Sequence, residues 1–155
     1  MNDKVNIGVI GAGWWATLSH IPALRANPNV EIVAVNRPDA DGMEKVVASF
    51  PGVKPYFDAA EMLARETLNG VVVASPHILH AEHAQLALSR GLPTLIEKPM
   101  ATSAADARAL LATANANNTQ IILPYGWNFR PIVETAHQLV ADGWVGEVRH
   151  VVAQM

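Results

Sequence analysis

The stretch VNIGVIGAGWWA at residues 5–16 decides the fold of this 155-residue chain. Its first half, Val5–Ile10, is a continuous apolar run, and a glycine loop and a helix-like stretch, Trp15–Ala26, come directly after it. Short runs that are apolar on both sides are typical of parallel strands covered on both faces. The stretch therefore predicts a buried strand, a tight turn and a helix in immediate succession.

The same alternation of strand and helix continues along the chain. Further strands are predicted at Glu31–Val35, Val53–Tyr56, Val71–Ala74, Thr94–Ile96 and Ile121–Leu123. Helices are predicted between them at Ala40–Ser49, Asp58–Leu68, Ile78–Arg90 and Ser103–Asn117. Pro55 has no backbone N–H to donate, so its strand is expected at a sheet edge. The alternation predicts an α/β fold with a doubly wound parallel sheet, the Rossmann arrangement.

The character of the sequence changes near Tyr125. An aromatic-rich loop at residues 125–131 precedes a predicted helix, Pro131–Asp142, and a predicted strand, Val148–Val152. Domains most often contain about 100–150 residues around one core. We therefore expect a Rossmann domain at residues 1–124 and the beginning of a second α/β domain at residues 125–155.

Composition and charge exclude several classes of binding partner and of chemistry. The net charge of −3 gives no electrostatic reason to expect nucleic acid or an anionic membrane surface. The chain has no cysteine, which excludes disulfides, thiolate metal sites and cysteine nucleophiles. No apolar segment approaches the ~18 residues that span a membrane, and the polar N-terminus does not resemble a signal peptide. We expect a cytoplasmic protein.

The glycine loop follows the pattern G-x-G-x-x-A, a variant of the dinucleotide fingerprint. Gly11 would make the tight turn, and Gly13 would let the backbone approach a pyrophosphate at the helix N-terminus. Turns often use glycine for their own geometry, but the preceding strand and the following helix favour a nucleotide site. Trp14 and Trp15 lie inside the loop, where they either pack against neighbouring loops or shield the cofactor.

The end of the second predicted strand indicates which dinucleotide is bound. The fingerprint expects an acidic residue there for the adenosine ribose, but Asn36 occupies that position and Arg37 follows it. An amide would not repel a 2′-phosphate and a guanidinium would pair with one, so we expect NADP. Asp39 could bind the ribose instead, which leaves NAD possible. The alternative for Arg37 is a solvated surface charge.

Glu97, Lys98 and Pro99 directly follow the predicted strand Thr94–Ile96. Doubly wound sheets bind ligands beyond the carboxyl ends of their strands, so an acid and a base are well placed for chemistry there. Lys98 could exchange a proton with a substrate oxygen, and Glu97 could orient it or alter its basicity. The alternative is an ordinary surface ion pair. Both are candidate catalytic residues that would also lie against the cofactor.

Several motifs together resemble the nucleotide-binding half of the Gfo/Idh/MocA oxidoreductase family. The matching segments are the glycine loop with His20 and Pro22 behind it, Ala74-Ser75-Pro76-His77 with His80, Glu97-Lys98-Pro99, Trp127-Asn128-Phe129-Arg130-Pro131 and Gly143-Trp144-Val145-Gly146-Glu147. The resemblance implies NAD(P)-dependent hydride transfer on a sugar, a polyol or a related hydroxyl or ketone. It also implies that a second domain supplies much of the substrate pocket.

The resemblance assigns further roles by position. Lys98 corresponds to the family's lysine near the nicotinamide and the reacting carbon. The other residues that the resemblance places against the cofactor or substrate are Ser75, Pro76, His80, Asn128 and Arg130. His77 departs from the family, which often has asparagine at this position.

The three histidines His77, His80 and His83 recur at three-residue steps, which share a helix face only loosely, so we expect no metal site.

Three alternatives stay open for the chain as a whole. It belongs to an ordinary dehydrogenase with a second domain, it needs a partner chain or a homo-oligomer to complete its site, or it is a non-catalytic nucleotide-binding or sensor module.

Overall fold

The computed structural model describes residues 4–152, apart from the side chains of Trp127 and Asn128. The chain forms two compact units that separate between Pro124 and Tyr125. The first unit is an α/β structure and the second is a short helical unit. Each unit is described by itself.

Within the described residues, six strands of the first unit form one parallel sheet. They are β1 (Val5–Ile10), β2 (Val30–Asn36), β3 (Lys54–Tyr56), β4 (Gly70–Val73), β5 (Thr94–Ile96) and β6 (Ile121–Ile122). Their order in the sheet is β3-β2-β1-β4-β5-β6, and every neighbouring pair is parallel. The chain winds outward from β1 in both directions, which confirms the predicted doubly wound Rossmann sheet. Pro55 lies in the edge strand β3, as expected.

Helices connect the strands. A π-helical turn, Ala16–His20, runs directly into α1 (Ile21–Arg25). The other α-helices are α2 (Ala40–Ser49), α3 (Ala59–Arg65), α4 (His80–Leu88), α5 (Ala104–Ala116) and, in the second unit, α6 (Pro131–Ala141). Short 3₁₀ turns precede α4 at His77–Leu79 and α6 at Gly126–Phe129. None of the helices in residues 4–152 is long and apolar enough to cross a membrane.

Side-chain caps fix the starts of three helices. Asp39, Asp58 and Ser103 precede α2, α3 and α5, and each accepts a hydrogen bond from the N–H three residues later, at 2.7, 2.7 and 3.0 Å. An N-cap satisfies one of the unpaired N–H groups of a helix start and stabilises the helix by about 1 kcal/mol. The predicted start after Asp58 is confirmed, but this helix ends at Arg65 because Glu66 has extended backbone angles.

The strands are apolar on both sides because helices cover both faces of the sheet. Val9 belongs to the buried cluster that contains Ile21 of α1 and Met43 of α2. Its neighbour Ile10 belongs to the opposite cluster, with Leu88 of α4. Successive strand residues point to opposite faces, so one continuous apolar run supplies both cores. Full burial of each such side chain contributes about 1.5–3 kcal/mol.

The strand predicted at Val148–Val152 is wrong. Residues 148–152 have no strand structure, and the regular elements described in residues 125–152 are the 3₁₀ turn and α6. The β-branched residues of this segment favour extended backbone, but a strand is stable only when it pairs with neighbouring strands. No strand of residues 125–152 provides such a neighbour.

Candidate functional site

The carboxyl ends of β1 and β4 lie side by side at the point where the winding direction of the sheet reverses. This reversal leaves a crevice beyond the strand ends, where doubly wound sheets bind ligands. The glycine loop follows β1, Ser75 lies just after β4, and Glu97 directly follows β5. The fold therefore brings three of the predicted site segments to one edge of the sheet.

Gly11 is required by the fold itself. Its φ is +83°, which L side chains rarely adopt, and a Cβ at this position would overlap the backbone of Ser75. The N–H groups of Gly11 and Ala12 both donate to the carbonyl oxygen of Asn36, at 3.0 and 2.9 Å. These contacts fix the turn against the loop after β4 and against the end of β2.

Gly13 has no comparable requirement from the described protein. A Cβ placed there would lie 3.9 Å from the nearest atom, the carbonyl oxygen of Gly11, and the φ of Gly13 is not positive. The missing side chain leaves open space beside the start of a helix, whose first N–H groups have no partner within that helix. This space and these donors suit a closely approaching phosphate group, so the loop fits a dinucleotide.

The two tryptophans of the loop differ in their contacts. Trp14 is 73% exposed and lies beside Trp15, with 5.7 Å between the ring centroids. The indole N–H of Trp15 donates to Oε1 of Glu97 at 2.6 Å, across 82 positions of sequence. Trp14 is thus accessible to a ligand, whereas the polar edge of Trp15 is bound to the segment after β5.

Arg37 lies beside the glycine loop. Its Nε donates to Oδ2 of Asp39 at 2.6 Å, and its Nη1 donates to the carbonyl oxygen of Ala12 at 3.0 Å. Gly42 lies against the guanidinium, where a Cβ would overlap it. The hydrogen bonds from Arg37 and from the Gly42 N–H hold the pKa of Asp39 below its usual value. Arg37 is therefore an oriented cation and not a loosely solvated one.

Asn36 ends β2 at the position expected for the ribose-binding residue, but its side chain is engaged elsewhere. Its Nδ2 donates to the carbonyl oxygen of Tyr56 in β3 at 3.2 Å, and the residue is only 4% exposed. The side chain therefore ties β2 to the edge strand, and Arg37 is the more accessible of the two residues.

Glu97 accepts hydrogen bonds from three directions. Oε1 accepts from Nε1 of Trp15 and pairs with Nε2 of His20 at 2.8 Å, while Oε2 accepts from the backbone N–H of Lys98 at 3.1 Å. Burial alone would raise the pKa of Glu97, but the hydrogen bonds from Trp15, His20 and Lys98 hold that pKa below its usual value. The carboxylate is thus an anionic acceptor surrounded by protein donors.

Lys98 is exposed, in contrast to the glutamate before it. Among the described residues, no carboxylate lies within ion-pair distance of its amine, so the surface ion pair with Glu97 does not form. The following residue, Pro99, has its carbonyl oxygen 2.7 Å from Nδ1 of His80. The backbone is thus held on both sides of Lys98 while its side chain stays open to a ligand.

The loop after β4 is held by two histidines. His80 is fully buried, and its Nε2 lies 2.8 Å from the carbonyl oxygen of Ser75. His83 has its Nδ1 2.9 Å from the hydroxyl oxygen of Ser75, and burial lowers the pKa of this imidazole. Pro76 and His77 are exposed. These contacts make His80 and His83 supports of the loop, and they leave Pro76 accessible beside the crevice.

Two of the predicted site residues, Asn128 and Arg130, belong to the second unit. Arg130 is exposed at the N-cap position of α6, and the side chain of Asn128 lies outside the described residues. Both stay predictions.

Across residues 4–152, no three histidine, aspartate or glutamate side chains converge as a metal site requires.

Sequence reasoning missed the contacts that join distant segments. His20 was recognised only as part of a family motif, yet it bonds to Glu97 across 77 positions. The sequence gives no signal that the imidazole of His83 contacts the hydroxyl of Ser75. Gly42 has no sequence signal beyond a glycine near a helix start, although it makes room for Arg37. Only spatial proximity reveals these three roles.

A doubly wound parallel sheet with a glycine loop at its switch point is the arrangement of a dinucleotide-binding Rossmann domain. The chain belongs to the Gfo/Idh/MocA oxidoreductase family, whose model, the oxidoreductase family NAD-binding Rossmann fold, matches residues 5–125. This match confirms the resemblance drawn from the sequence motifs.

Curated relatives match nearly the whole chain. Glucose-6-phosphate 3-dehydrogenase of Bacillus subtilis is 31% identical over 92% of this chain and 39% of its own length. The dTDP-3,4-didehydro-2,6-dideoxy-alpha-D-glucose 3-reductase of Streptomyces antibioticus is 29% identical over 96% of this chain and 45% of its own. The chain therefore spans less than half the length of these relatives.

One solved structure that is similar to this chain contains a bound dinucleotide. KijD10, a 3-ketoreductase from Actinomadura kijaniata in complex with NADP and TDP-benzene, matches with a TM-score of 0.86 at 28% identity. The match covers 95% of this chain and 45% of that one. The fold and the oxidoreductase class are thus shared with a dinucleotide-binding reductase.

Proposed function

We propose that this chain binds NADP and forms the cofactor-binding part of an enzyme that transfers a hydride between the nicotinamide and a sugar, a polyol or a related hydroxyl or ketone. The observation that carries the proposal is the open space at Gly13 beside a helix start, at the same sheet edge as the exposed Lys98. The family match and the sugar-related names of the relatives support the substrate class.

Each part of the crevice has a distinct task in this proposal. The N–H groups after Gly13 would hold the pyrophosphate, and Trp14 would cover one side of the bound molecule. Ser75 and Pro76 would line the nicotinamide side, with Ser75 held in place by His80 and His83. When bound, the nicotinamide accepts or supplies the hydride.

Lys98 would handle the proton that accompanies hydride transfer. Oxidation of a hydroxyl releases a proton from oxygen, and an exposed amine at the carboxyl edge of the sheet can accept it or, in the reverse direction, return it. Glu97 is not placed for this task because its oxygens are occupied by Trp15, His20 and the Lys98 N–H. Its role is to position the segment that carries Lys98.

The choice of NADP over NAD rests on Arg37. Its guanidinium is held beside the glycine loop by Asp39 and Ala12, and a 2′-phosphate would add a second anion that pairs with it bidentately. The competing role of Arg37 is to neutralise Asp39, in which case NAD would bind equally well. Direct comparison of the two dinucleotides separates these roles.

Calorimetric titration of NADP⁺ and NAD⁺ tests this assignment. We expect Arg37→Ala to weaken NADP⁺ binding by about 10–100-fold and to change NAD⁺ binding by less than about threefold, because only NADP⁺ carries the phosphate. Arg108→Ala, which removes an exposed arginine of α5, is the matched control and should change neither. Equal NADP⁺ affinity in wild type and Arg37→Ala would contradict the proposed preference.

Turnover is tested separately from binding. The purified protein is incubated with NADP⁺ and a panel of sugars and polyols, and the absorbance of reduced nicotinamide is followed. Turnover that Lys98→Met removes without loss of NADP⁺ binding would support the proton role of Lys98. Tight dinucleotide binding with no turnover in the full-length protein would favour a non-catalytic binding or sensor module.

We further propose that residues 125–155 begin a second domain that serves substrate binding or oligomerisation. Support comes from the relatives, which are more than twice as long, and from exposed apolar side chains of the second unit, including Ile132, Trp144 and Val151. Side chains of this kind are usually covered by a further domain or by another copy of the chain. Sedimentation as a monomer at high concentration would contradict self-association.

A further inference from the structure

The carboxylate of Glu97 joins two parts of the chain that lie far apart in sequence. Trp15 in the glycine loop and His20 in the helical turn after it bond to Oε1 at 2.6 and 2.8 Å. The backbone N–H of Lys98 bonds to Oε2 at 3.1 Å. We call Trp15, His20, Glu97 and the Lys98 N–H the Glu97 cluster. It connects the helix that starts at the glycine loop with the segment after β5.

The π-helical turn allows both donors to reach one oxygen. Trp15 and His20 are five residues apart, and on a regular α-helix this spacing turns side chains about 140° away from each other. In the turn at Ala16–His20 the N–H of Ile21 bonds to the carbonyl oxygen of Ala16, five residues back. This wider winding brings positions five apart toward the same face. The two rings lie edge to face, with 6.4 Å between their centroids.

The chemistry of the carboxylate determines the hydrogen-bond roles. An ionised carboxylate only accepts hydrogen bonds, so Nε2 of His20 must carry a proton in this contact. The side chains of His20 and Glu97 are only 13% and 11% exposed. If the hydrogen bond between them were broken, water could not readily replace the lost partner of either group. The arrangement therefore selects the Nε2–H tautomer of His20 when its imidazole is neutral.

The Glu97 cluster acts on the backbone that carries Lys98. Oε2 of Glu97 holds the Lys98 N–H, and Nδ1 of His80 lies 2.7 Å from the carbonyl oxygen of Pro99. The amine of Lys98 is left exposed between these two fixed points. A reactive side chain whose backbone is held on both sides samples fewer directions, which is how supporting groups place a catalytic group.

We propose that Trp15 and His20 are positioning residues for Lys98, acting through Glu97, and that the π-helical turn exists to bring their two N–H donors onto one carboxylate oxygen. This inference rests on the proposed function for the statement that Lys98 takes part in the reaction. The inference goes beyond the proposed function because it assigns to Trp15 and His20 tasks that involve no contact with the substrate.

Hydrogen exchange at the Lys98 amide tests the proposal, measured by NMR on the full chain without nucleotide. Trp15→Phe removes the indole N–H but keeps an aromatic ring, and His20→Ala removes the imidazole. We expect each to accelerate exchange of the Lys98 N–H by about tenfold, because Glu97 loses a donor that fixes its carboxylate. His20→Gln supplies a new side-chain N–H and should return exchange to within about threefold of wild type.

Matched controls separate local positioning from general destabilisation. Trp144→Phe and His137→Gln make the same chemical changes at exposed positions of the second unit and should leave Lys98 exchange unchanged. The amide of Val72, in the central strand β4, reports on the stability of the sheet. Equal acceleration at Val72 and Lys98 in Trp15→Phe and His20→Ala, without rescue by Gln, would overturn the positioning role.

The tautomer of His20 provides a second and independent readout. A long-range nitrogen–proton spectrum should show the proton on Nε2 in wild type, with a change of tautomer population in Glu97→Ala. A proton on Nδ1 in wild type would overturn the inferred contact.

Titration of NADP⁺ into the same samples separates this inference from the proposed function. If wild type binds neither NADP⁺ nor NAD⁺ while Lys98 exchange responds as expected, the proposed function fails and the Glu97 cluster stands as a positioning device. If NADP⁺ binds and Lys98 exchange is unchanged in Trp15→Phe and His20→Ala, the positioning role fails and the proposed function stands.

Discussion

Two glutamates of the first unit, Glu66 and Glu97, make the same kind of contacts at different places in the sheet. The side chains of Glu66 and Glu97 are 7% and 11% exposed, and each accepts hydrogen bonds from one aromatic residue and one basic residue. For Glu66 the donors are the hydroxyl of Tyr56 at 2.5 Å and the amine of Lys54 at 2.8 Å. We call these three residues the Glu66 cluster.

The pKa of each glutamate is held below its usual value, but for different reasons. For Glu66 the hydrogen bonds from Lys54 and then Tyr56 lower the pKa, and burial opposes them. For Glu97 burial acts most strongly and in the raising direction, and the hydrogen bonds from Trp15, His20 and the Lys98 N–H together outweigh it. The donors to Glu66 include the cation of Lys54, whereas two of the three donors to Glu97 are the uncharged indole of Trp15 and the backbone N–H of Lys98.

Location gives the two clusters different consequences. The Glu66 cluster joins the end of α3 to the edge strand β3, and the amine-bearing side chain of Lys54 is 62% exposed. The Glu97 cluster lies at the carboxyl edge of the sheet, next to Lys98 and the glycine loop. The same acid chemistry therefore secures an edge strand in one place and orders the candidate site in the other.

The largest expected difference between the clusters is in stability. Glu97→Ala leaves the part-buried N–H groups of Trp15 and His20 without an acceptor, which should cost about 2–4 kcal/mol in the free energy of unfolding. Glu66→Ala should cost clearly less, because the amine of Lys54 can return to water. Chemical denaturation of both variants and wild type measures the difference, and equal losses would show that both clusters stabilise the fold to the same extent.

The pH dependence should show the shared direction of the two pKa shifts. A carboxyl whose pKa is lowered on folding contributes stability above its unfolded value, near 4.5, and loses it as the pH falls through the folded value. The melting-temperature difference between wild type and Glu97→Gln should therefore be full near neutral pH and shrink below about pH 4.5. Glu66→Gln should follow the same course, and a difference that grows on acidification would contradict both assignments.

Added salt should change the melting-temperature cost of the two substitutions to different extents, and this effect should be smaller than the effects of mutation and pH. The partly exposed ion pair of Lys54 and Glu66 should weaken in ~1 M NaCl, where the screening length is about 3 Å. Two of the three donors to Glu97, the Trp15 indole and the Lys98 backbone N–H, are uncharged, so salt has less to screen in the Glu97 cluster. The melting-temperature cost of Glu66→Gln should fall with added salt more than that of Glu97→Gln. A parallel fall for both would show that the two clusters work alike.

Much of the fold could be predicted because it depends on local pattern. The bounds of α2 and β5, the edge position of Pro55 and the glycine loop after β1 all follow from apolar runs, caps and turn residues. The predicted strand at residues 148–152 is wrong because strand formation needs a pairing neighbour that propensity cannot supply.

The candidate site was less predictable because its contacts join distant positions. Its segments could be identified from motifs after β1, β4 and β5, and the sheet brings those segments together. The sequence does not indicate that Trp15 and His20 share the carboxylate of Glu97, since that contact requires a π-helical turn and a separation of about 80 positions. It also does not show that Asp39 and Gly42 orient Arg37.

Gly13→Ala tests whether the glycine loop binds a dinucleotide. A Cβ at Gly13 has room in the protein, so the melting temperature should match wild type, as should that of the control Gly126→Ala. Calorimetric titration should show NADP⁺ binding to wild type and to Gly126→Ala, weakened at least about tenfold in Gly13→Ala, because the added methyl occupies the space that the pyrophosphate needs. Equal NADP⁺ affinity in Gly13→Ala and wild type, or no binding of either NADP⁺ or NAD⁺ to wild type, would contradict dinucleotide binding at the glycine loop.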